Sequence, residues 1–197
     1  LGPSPASLLW LGDEAVLATF RDGLLRRRAG AAAFEPYGEV WPVNGLMGLL
    51  PGEDAFTFHA ISARGLWRVE RSTGKRTLLH ETTPSSSFRA SAMGSGGRIW
   101  LTTPTHLACY DGKGPRMHLL APREGAHPLG YAWRAAFARR NGEAWFGARR
   151  GVTCVRPEAG GHASTDPVVL GVDLEVAGFA PMRGGLGRSC ELPVGAV

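Results

Sequence analysis

Short apolar runs alternate with turn residues along this chain, and the alternation repeats. Ala15–Phe20 is followed by Asp22-Gly23-Leu24-Leu25-Arg26-Arg27, and Ala55–Ala60 by Arg64-Gly65-Leu66-Trp67-Arg68-Val69. Arg98–Thr103 is followed by Thr105-His106-Leu107-Ala108-Cys109-Tyr110, and Glu143–Ala148 by Arg150-Gly151-Val152-Thr153-Cys154-Val155. Each pair reads as two strands joined by a turn. The runs are rich in β-branched and aromatic residues, bounded by Gly, Asp and Pro, and too short for helices. The turn glycine, replaced by His106 in the third copy, falls at positions 23, 65, 106 and 151, so the intervals are 42, 41 and 45. A preceding strand is expected at Leu8–Leu11, Leu46–Leu50, Phe88–Met93 and Tyr131–Ala138. A following strand is expected at Arg76–Glu81 and Arg116–Ala121, and near Glu39–Val43 and Pro167–Val172 in the first and fourth copies.

Four short antiparallel strands in roughly 40–45 residues is the arithmetic of a propeller blade. One blade cannot bury both of its faces, so blades must stack. The expected fold is all-β, a β-propeller-like array of about four four-stranded antiparallel blades with a possible partial fifth. A single β-sandwich is the alternative, but it does not require a matching hairpin at this period. The blades are placed at about 8–51, 52–94, 95–139 and 140–172, with a partial unit at 173–197. Taking Val16, Phe56, Trp100 and Trp145 as equivalent, a fifth counterpart should fall near 188–190. There the chain reads Gly187-Arg188-Ser189-Cys190-Glu191-Leu192, after an expected strand at Leu174–Met182. Either four blades close, or five close imperfectly, or a partner completes the array. Open sheet edges invite pairing, so association with a protein partner or a second copy is expected.

Two stretches, Gly97-Arg98-Ile99-Trp100-Leu101-Thr102-Thr103 with His106-Leu107, and Gly142-Glu143-Ala144-Trp145-Phe146-Gly147-Ala148 with Gly151-Val152, carry a family resemblance. They resemble blades of the two-component-regulator propeller type and, more broadly, short bacterial β-propeller repeats. The resemblance spans about residues 8–157. The copies at 15 and 55 lack the tryptophan, and Arg27 stands where the others have Val69, Tyr110 and Val155. Membership in that group implies a sensing or binding module, with a separate domain that acts.

Composition narrows the classes. The chain has 197 residues, 44% hydrophobic and 20% charged, an ordinary globular balance. No run approaches the roughly 18–20 apolar residues of a membrane span. The 28 glycines and 14 prolines are spread along the chain, which favours many short elements. The net charge of +5 comes from scattered arginines, Arg26-Arg27-Arg28 being the longest cluster, so a nucleic-acid footprint is not expected. Three cysteines (Cys109, Cys154, Cys190) without close spacing make neither a disulfide framework nor a zinc knuckle. No signal peptide is visible at the start, which tilts the expected compartment toward the cytoplasm, although the chain begins at Leu1 and not at Met.

The candidate chemistry is binding. In the third and fourth copies the expected innermost strands read Phe88-Arg89-Ala90-Ser91 and Trp133-Arg134-Ala135-Ala136, and Arg89 and Arg134 both lie eleven residues before the reference tryptophan. Two such arginines can converge on a carboxylate or phosphate through their planar forks of donors. Phe88 and Trp133 would be stacking surfaces for a ring or sugar. The competing role for these residues is inter-blade packing and solvated charge. Cys109 and Cys154 occupy equivalent positions and read as buried inter-blade residues. His106, at a turn-glycine position, is expected to take an unusual backbone angle. His59, in an expected strand, reads as a core residue. No metal-ligand spacing, nucleophile elbow, P-loop or dinucleotide fingerprint occurs, and no cofactor is expected. The leading expectation is therefore a non-catalytic propeller that binds a protein partner, as one component of a multi-gene bacterial system. The alternatives are a small-ligand or glycan sensor using Arg89, Arg134, Trp133 and Phe88, and a channel-centred hydrolase or lyase with Glu175 as its main inner carboxylate.

Overall fold

The computed structural model describes residues 5–41, 45–112, 114, 116–120, 122, 126–127, 129–148 and 151–156, and the backbone of 169–170, 173–174 and 182–183. The chain divides into two compact units, Leu1–Phe88 and Arg89–Val197. The fold is all-β and of propeller type, with four four-stranded antiparallel sheets as blades.

The first unit holds two blades. One runs in the order β1 (Pro5–Leu11), β2 (Glu14–Thr19), β3 (Leu24–Arg27), β4 (Glu35–Pro36), and the other β5 (Leu46–Pro51), β6 (Thr57–Ser62), β7 (Gly65–Glu70), β8 (Arg76–Glu81). The second unit holds β9 (Ala90–Met93), β10 (Ile99–Thr102), β11 (Leu107–Tyr110), β12 (His118–Leu120), and then β13 (Tyr131–Ala138), β14 (Ala144–Ala148), β15 (Gly151–Val155), β16 (Val169–Leu170). A two-stranded sheet of β17 (Asp173–Leu174) and β18 (Met182–Arg183) follows. Most of the expected strand Leu174–Met182, and the stretch around Cys190, lie outside the described residues.

Within each unit, strand alternation packs small and large residues of the two blades together. In the first unit Val16, Ala18 and Leu24 pack with Phe58, Ala60 and Val69, and Leu46 and Leu49 join them. In the second unit Trp100, Leu107 and Cys109 pack with Ala144, Phe146 and Val155. A fully buried side chain of the size of Phe58 or Phe146 contributes about 1.5–3 kcal/mol by leaving water.

Register corrects one sequence equivalence. Val16 pairs with Arg26, Trp100 with Cys109 and Trp145 with Cys154, three residues past the turn position in each case. The corresponding pair in the second blade is His59 with Arg68. His59 therefore stands where the tryptophans stand, while Phe56 lies ahead of β6 and is 77% exposed. His59 is buried, with Nδ1 3.1 Å from the Pro51 carbonyl, and burial lowers its pKa.

The fourth strand of the first blade is also displaced. It forms at Glu35–Pro36, and the expected Glu39–Val43 is not strand over Glu39–Trp41, its last two residues lying outside the described residues. The reason is Arg76, whose guanidinium donates to the Glu39 carbonyl at 3.2 Å and the Val40 carbonyl at 2.9 Å and packs against the rings of Trp41 and Trp67. Those carbonyls are taken by a side chain, so no ladder forms there. Tyr37 reinforces the same seam by donating its hydroxyl to the Arg71 carbonyl at 2.6 Å.

In the first three blades the turns between second and third strands share a device absent from the sequence reading. A hydroxyl at the end of the second strand closes the turn: Thr19 donates to the Gly23 carbonyl, Ser62 to that of Gly65 and Thr103 to that of His106. Among the described residues the only non-glycine in the left-handed region is Arg134. His106 therefore adopts an ordinary backbone angle. Its N–H donates to Thr103 Oγ1 at 3.0 Å, and the threonine does the work assigned to an unusual angle.

Candidate binding site

The site grows out of an irregularity in the inner strand of the fourth blade. Tyr131 pairs with Ala148, but the next pair is Ala136 with Phe146. Four residues, Ala132 to Ala135, are thus opposed by Gly147 alone. Such bulges re-aim side chains and recur beside functional sites. Gly147 makes this one possible, because a Cβ there would lie 2.8 Å from the Ala135 Cβ.

Arg134 sits in the bulge with φ of 57°. A left-handed arginine stores backbone strain that its surroundings must hold in place. The hold is visible: Arg134 N–H donates to the Arg89 carbonyl at 2.8 Å. Arg89 is fixed in turn, its N–H donating to the Thr102 carbonyl at 2.7 Å and its Nη1 to the Tyr131 carbonyl at 2.8 Å. The Arg89 guanidinium lies 5.9 Å from the centre of the Trp133 ring, within reach of a cation–π contact. Its Nε is buried without a hydrogen-bond partner. Trp133 is 52% exposed and Arg134 is exposed.

Tyr131 anchors the assembly. It is buried, its hydroxyl accepts from the His127 N–H at 2.9 Å and contacts Thr153 Oγ1 at 3.2 Å, and its ring meets Phe146 edge-on. Burial raises the pKa of its phenol, which stays neutral. The carbonyl that receives Arg89 is therefore held by a packed core residue.

The structure thus brings Arg89, Trp133 and Arg134 together, though not through the equivalence that the count of eleven implies. Ala90 pairs with Thr102, two residues past Trp100, whereas Tyr131 pairs with Ala148, three past Trp145. By register Tyr131 is the counterpart of Arg89, and Arg134 reaches Arg89 because the bulge folds it back. Phe88 stands apart. It belongs to the first unit and is buried, its N–H donates to the Ala63 carbonyl, and its ring lies 6.3 Å from that of His80. The sequence reading missed Tyr131 and Gly147. A glycine inside the apolar strand Ala144–Ala148 was the available signal for a bulge.

Cys109 and Cys154 are both buried free thiols, at matching register opposite Trp100 and Trp145. Burial pushes the Cys109 thiol up to about 11 and raises that of Cys154. Ser85 and Ser86 lie in a single 3-10 turn capped by Thr83. Among the described residues no three His, Cys, Asp or Glu side chains gather as a metal site, and no helix is long and apolar enough to cross a membrane. Glu175, His162 and Cys190 lie outside the described residues.

No protein-family model matches the chain, and no curated protein matches it. Solved structures do. An extracellular domain assigned to a hybrid two-component system of Bacteroides thetaiotaomicron aligns with a TM-score of 0.62 at 14% identity, over 84% of this chain and 23% of that one. Virginiamycin B lyase from Staphylococcus aureus aligns with a TM-score of 0.63 at 12% identity, over 85% of this chain and 55% of that one. The computationally designed Ika4 protein aligns with a TM-score of 0.59 at 10% identity, over 80% of this chain and 94% of that one. The chain spans less than a quarter of the length of the two-component-system domain. Identities this low establish the fold and leave the chemistry to the site.

Proposed function

We propose that this chain is a non-catalytic interaction module that binds a protein partner through the Trp133–Arg134 bulge and the adjoining Arg89. The observation that carries this reading is the presentation of the bulge. A half-exposed tryptophan stands beside the Arg89 guanidinium on a strained, held loop that also carries the exposed Arg134. Tryptophan and arginine dominate the energetic centres of protein interfaces, whereas small ligands are taken into concave sites that bury most of their surface. Arg89 and Arg134 favour a carboxylate on the partner, which a guanidinium meets with two parallel hydrogen bonds. Likeness to an extracellular two-component-system domain supports recognition as the task of this fold, and within a multi-gene bacterial system the acting domain would lie on another chain.

Peptide selection on the immobilised chain tests this. Recovered peptides should carry Asp or Glu next to an apolar residue. Trp133→Ala, or the double change Arg89→Ala with Arg134→Ala, should weaken them by about 30-fold, the effect of an interface centre worth about 2 kcal/mol. Peptides that bind the variants as well as the wild type would refute the reading. Equal binding of free glutamate or glucuronate would favour the small-ligand alternative at the same residues.

A further inference from the structure

Two side-chain donors at the seam between the third and fourth blades have nothing to donate to. Thr102 is 0% exposed and its Oγ1 has no hydrogen-bond partner, and Arg89 Nε is likewise buried and unpartnered. Register sets both on the same side of the third blade. Thr102 pairs with Ala90 on one side and Leu107 on the other. Both neighbours belong to the core cluster that Tyr131, Phe146 and Val155 of the fourth blade complete. Cross-strand partners share a sheet face, so the Thr102 side chain is turned toward the fourth blade. Simple alternation from Ala90 would send Arg89 to the opposite face. Instead the Arg89 N–H donates to the Thr102 carbonyl at 2.7 Å, although Ala90 is the residue paired with Thr102. Arg89 and Ala90 thus both stand against Thr102, an irregularity of the kind that re-aims a side chain. The Arg89 guanidinium crosses to the fourth blade, where Nη1 reaches the Tyr131 carbonyl at 2.8 Å.

We propose that Arg89 Nε and Thr102 Oγ1 hold a small monovalent anion of the size of chloride between the third and fourth blades. A buried donor left unpaired loses its hydration for nothing, and here two such donors flank one backbone hydrogen bond. Both groups donate, so their occupant must accept twice. The charge decides between a water molecule and an anion. Arg89 is partly buried, and among the described residues no carboxylate lies within ion-pair distance of it. Water would complete the hydrogen bonds and leave the guanidinium without a counter-charge, whereas an anion supplies both. Ala90 and Leu107 make the adjoining surface apolar, and both donor atoms are closed to solvent. That setting suits a single-atom anion and shuts out phosphate or a carboxylate side chain. The site does not rest on the partner reading, because it uses the closed edge of Arg89 and its test uses no peptide.

Thermal unfolding in chloride and in gluconate at one ionic strength tests the proposal, because gluconate is too large for the site. The wild-type midpoint should rise as chloride replaces gluconate, by about 3–6 °C once chloride reaches about ten times its dissociation constant. Thr102→Val keeps the shape of the side chain and removes the hydroxyl. In gluconate it should unfold no earlier than the wild type, since an unpaired hydroxyl has been removed, and it should lose the response to chloride. Thr102→Ser keeps a hydroxyl and should keep the response. Broadening of the chloride NMR line by the wild type, absent with Thr102→Val, reads the same site without unfolding the protein. A wild type whose midpoint and chloride line width are indifferent to chloride binding overturns the proposal. So does a Thr102→Val variant that responds as the wild type does, which would place the anions on surface arginines, or a Thr102→Ser variant that does not respond.

Discussion

Gly147→Ala isolates the contact on which the bulge depends. Gly147 is not among the glycines with positive φ, so an alanine there meets no backbone strain, and its effect comes from space alone. The new Cβ would lie 2.8 Å from the Ala135 Cβ, and ordinary contact begins at 3.4 Å, so Ala135 must retreat by about 0.6 Å. Overpacking of this kind costs about 1–3 kcal/mol. Loss of glycine freedom in the unfolded chain returns about 0.4–1 kcal/mol. The net destabilisation expected is therefore about 0–2.6 kcal/mol. Urea unfolding followed by tryptophan fluorescence measures it as a lower midpoint with unchanged slope. Ala135→Gly removes the other half of the clash. Alone it should cost about 0.5–1 kcal/mol from added backbone freedom. Combined with Gly147→Ala it should cost less than the sum of the two, with a coupling of about 1–3 kcal/mol. A coupling within about 0.5 kcal/mol of zero, the level found for independent sites, would refute the argument that Gly147 exists to admit the bulge. The single variant should also lose affinity for peptides selected by the wild type, because Ala135 adjoins Arg134.

Two further outcomes follow from buried groups. His59 has a folded-state pKa lowered by burial, so below its unfolded value of about 6.5 the unfolded chain binds the extra proton more readily. Its contribution is present above that value and is lost as pH falls below it; His59→Gln should flatten the decline of stability between about pH 6.5 and 5, measured by urea titrations across that range. The Cys109 thiol, pushed up to about 11, should react with a thiol reagent at neutral pH only after unfolding. A variant retaining Cys109 as its sole cysteine, titrated with and without urea, checks this, and rapid native labelling would contradict the burial.

The blade period was legible in the sequence because a strand pair must repeat whenever a blade repeats, and the turn residues that close it are local. The hairpin positions at Gly23, Gly65, His106 and Gly151 needed no tertiary knowledge. Equivalence within the second blade was misread, because Phe56 is aromatic and His59 is not, while register depends on backbone pairing and is blind to that preference. The fourth strand of the first blade was misplaced for a related reason. Glu39 and Val40 look extended, but their carbonyls are claimed by Arg76, more than thirty residues away.

The candidate site was legible in part. Arg89, Trp133 and Arg134 could be named from composition at matching positions, since arginine and tryptophan in one short motif are unusual enough to notice. Their convergence could not be derived, because it rests on a bulge in β13, a glycine in β14 and a tyrosine carbonyl that fixes Arg89. Phe88 shows the opposite case: the same motif places it beside Arg89, yet one residue of alternation sends its ring into the core. By itself, then, the sequence determined the β class, the blade period and the residue types available for recognition, all properties of local pattern. Tertiary structure decided register and which side chains meet, because these depend on hydrogen bonds and packing between positions far apart in the chain.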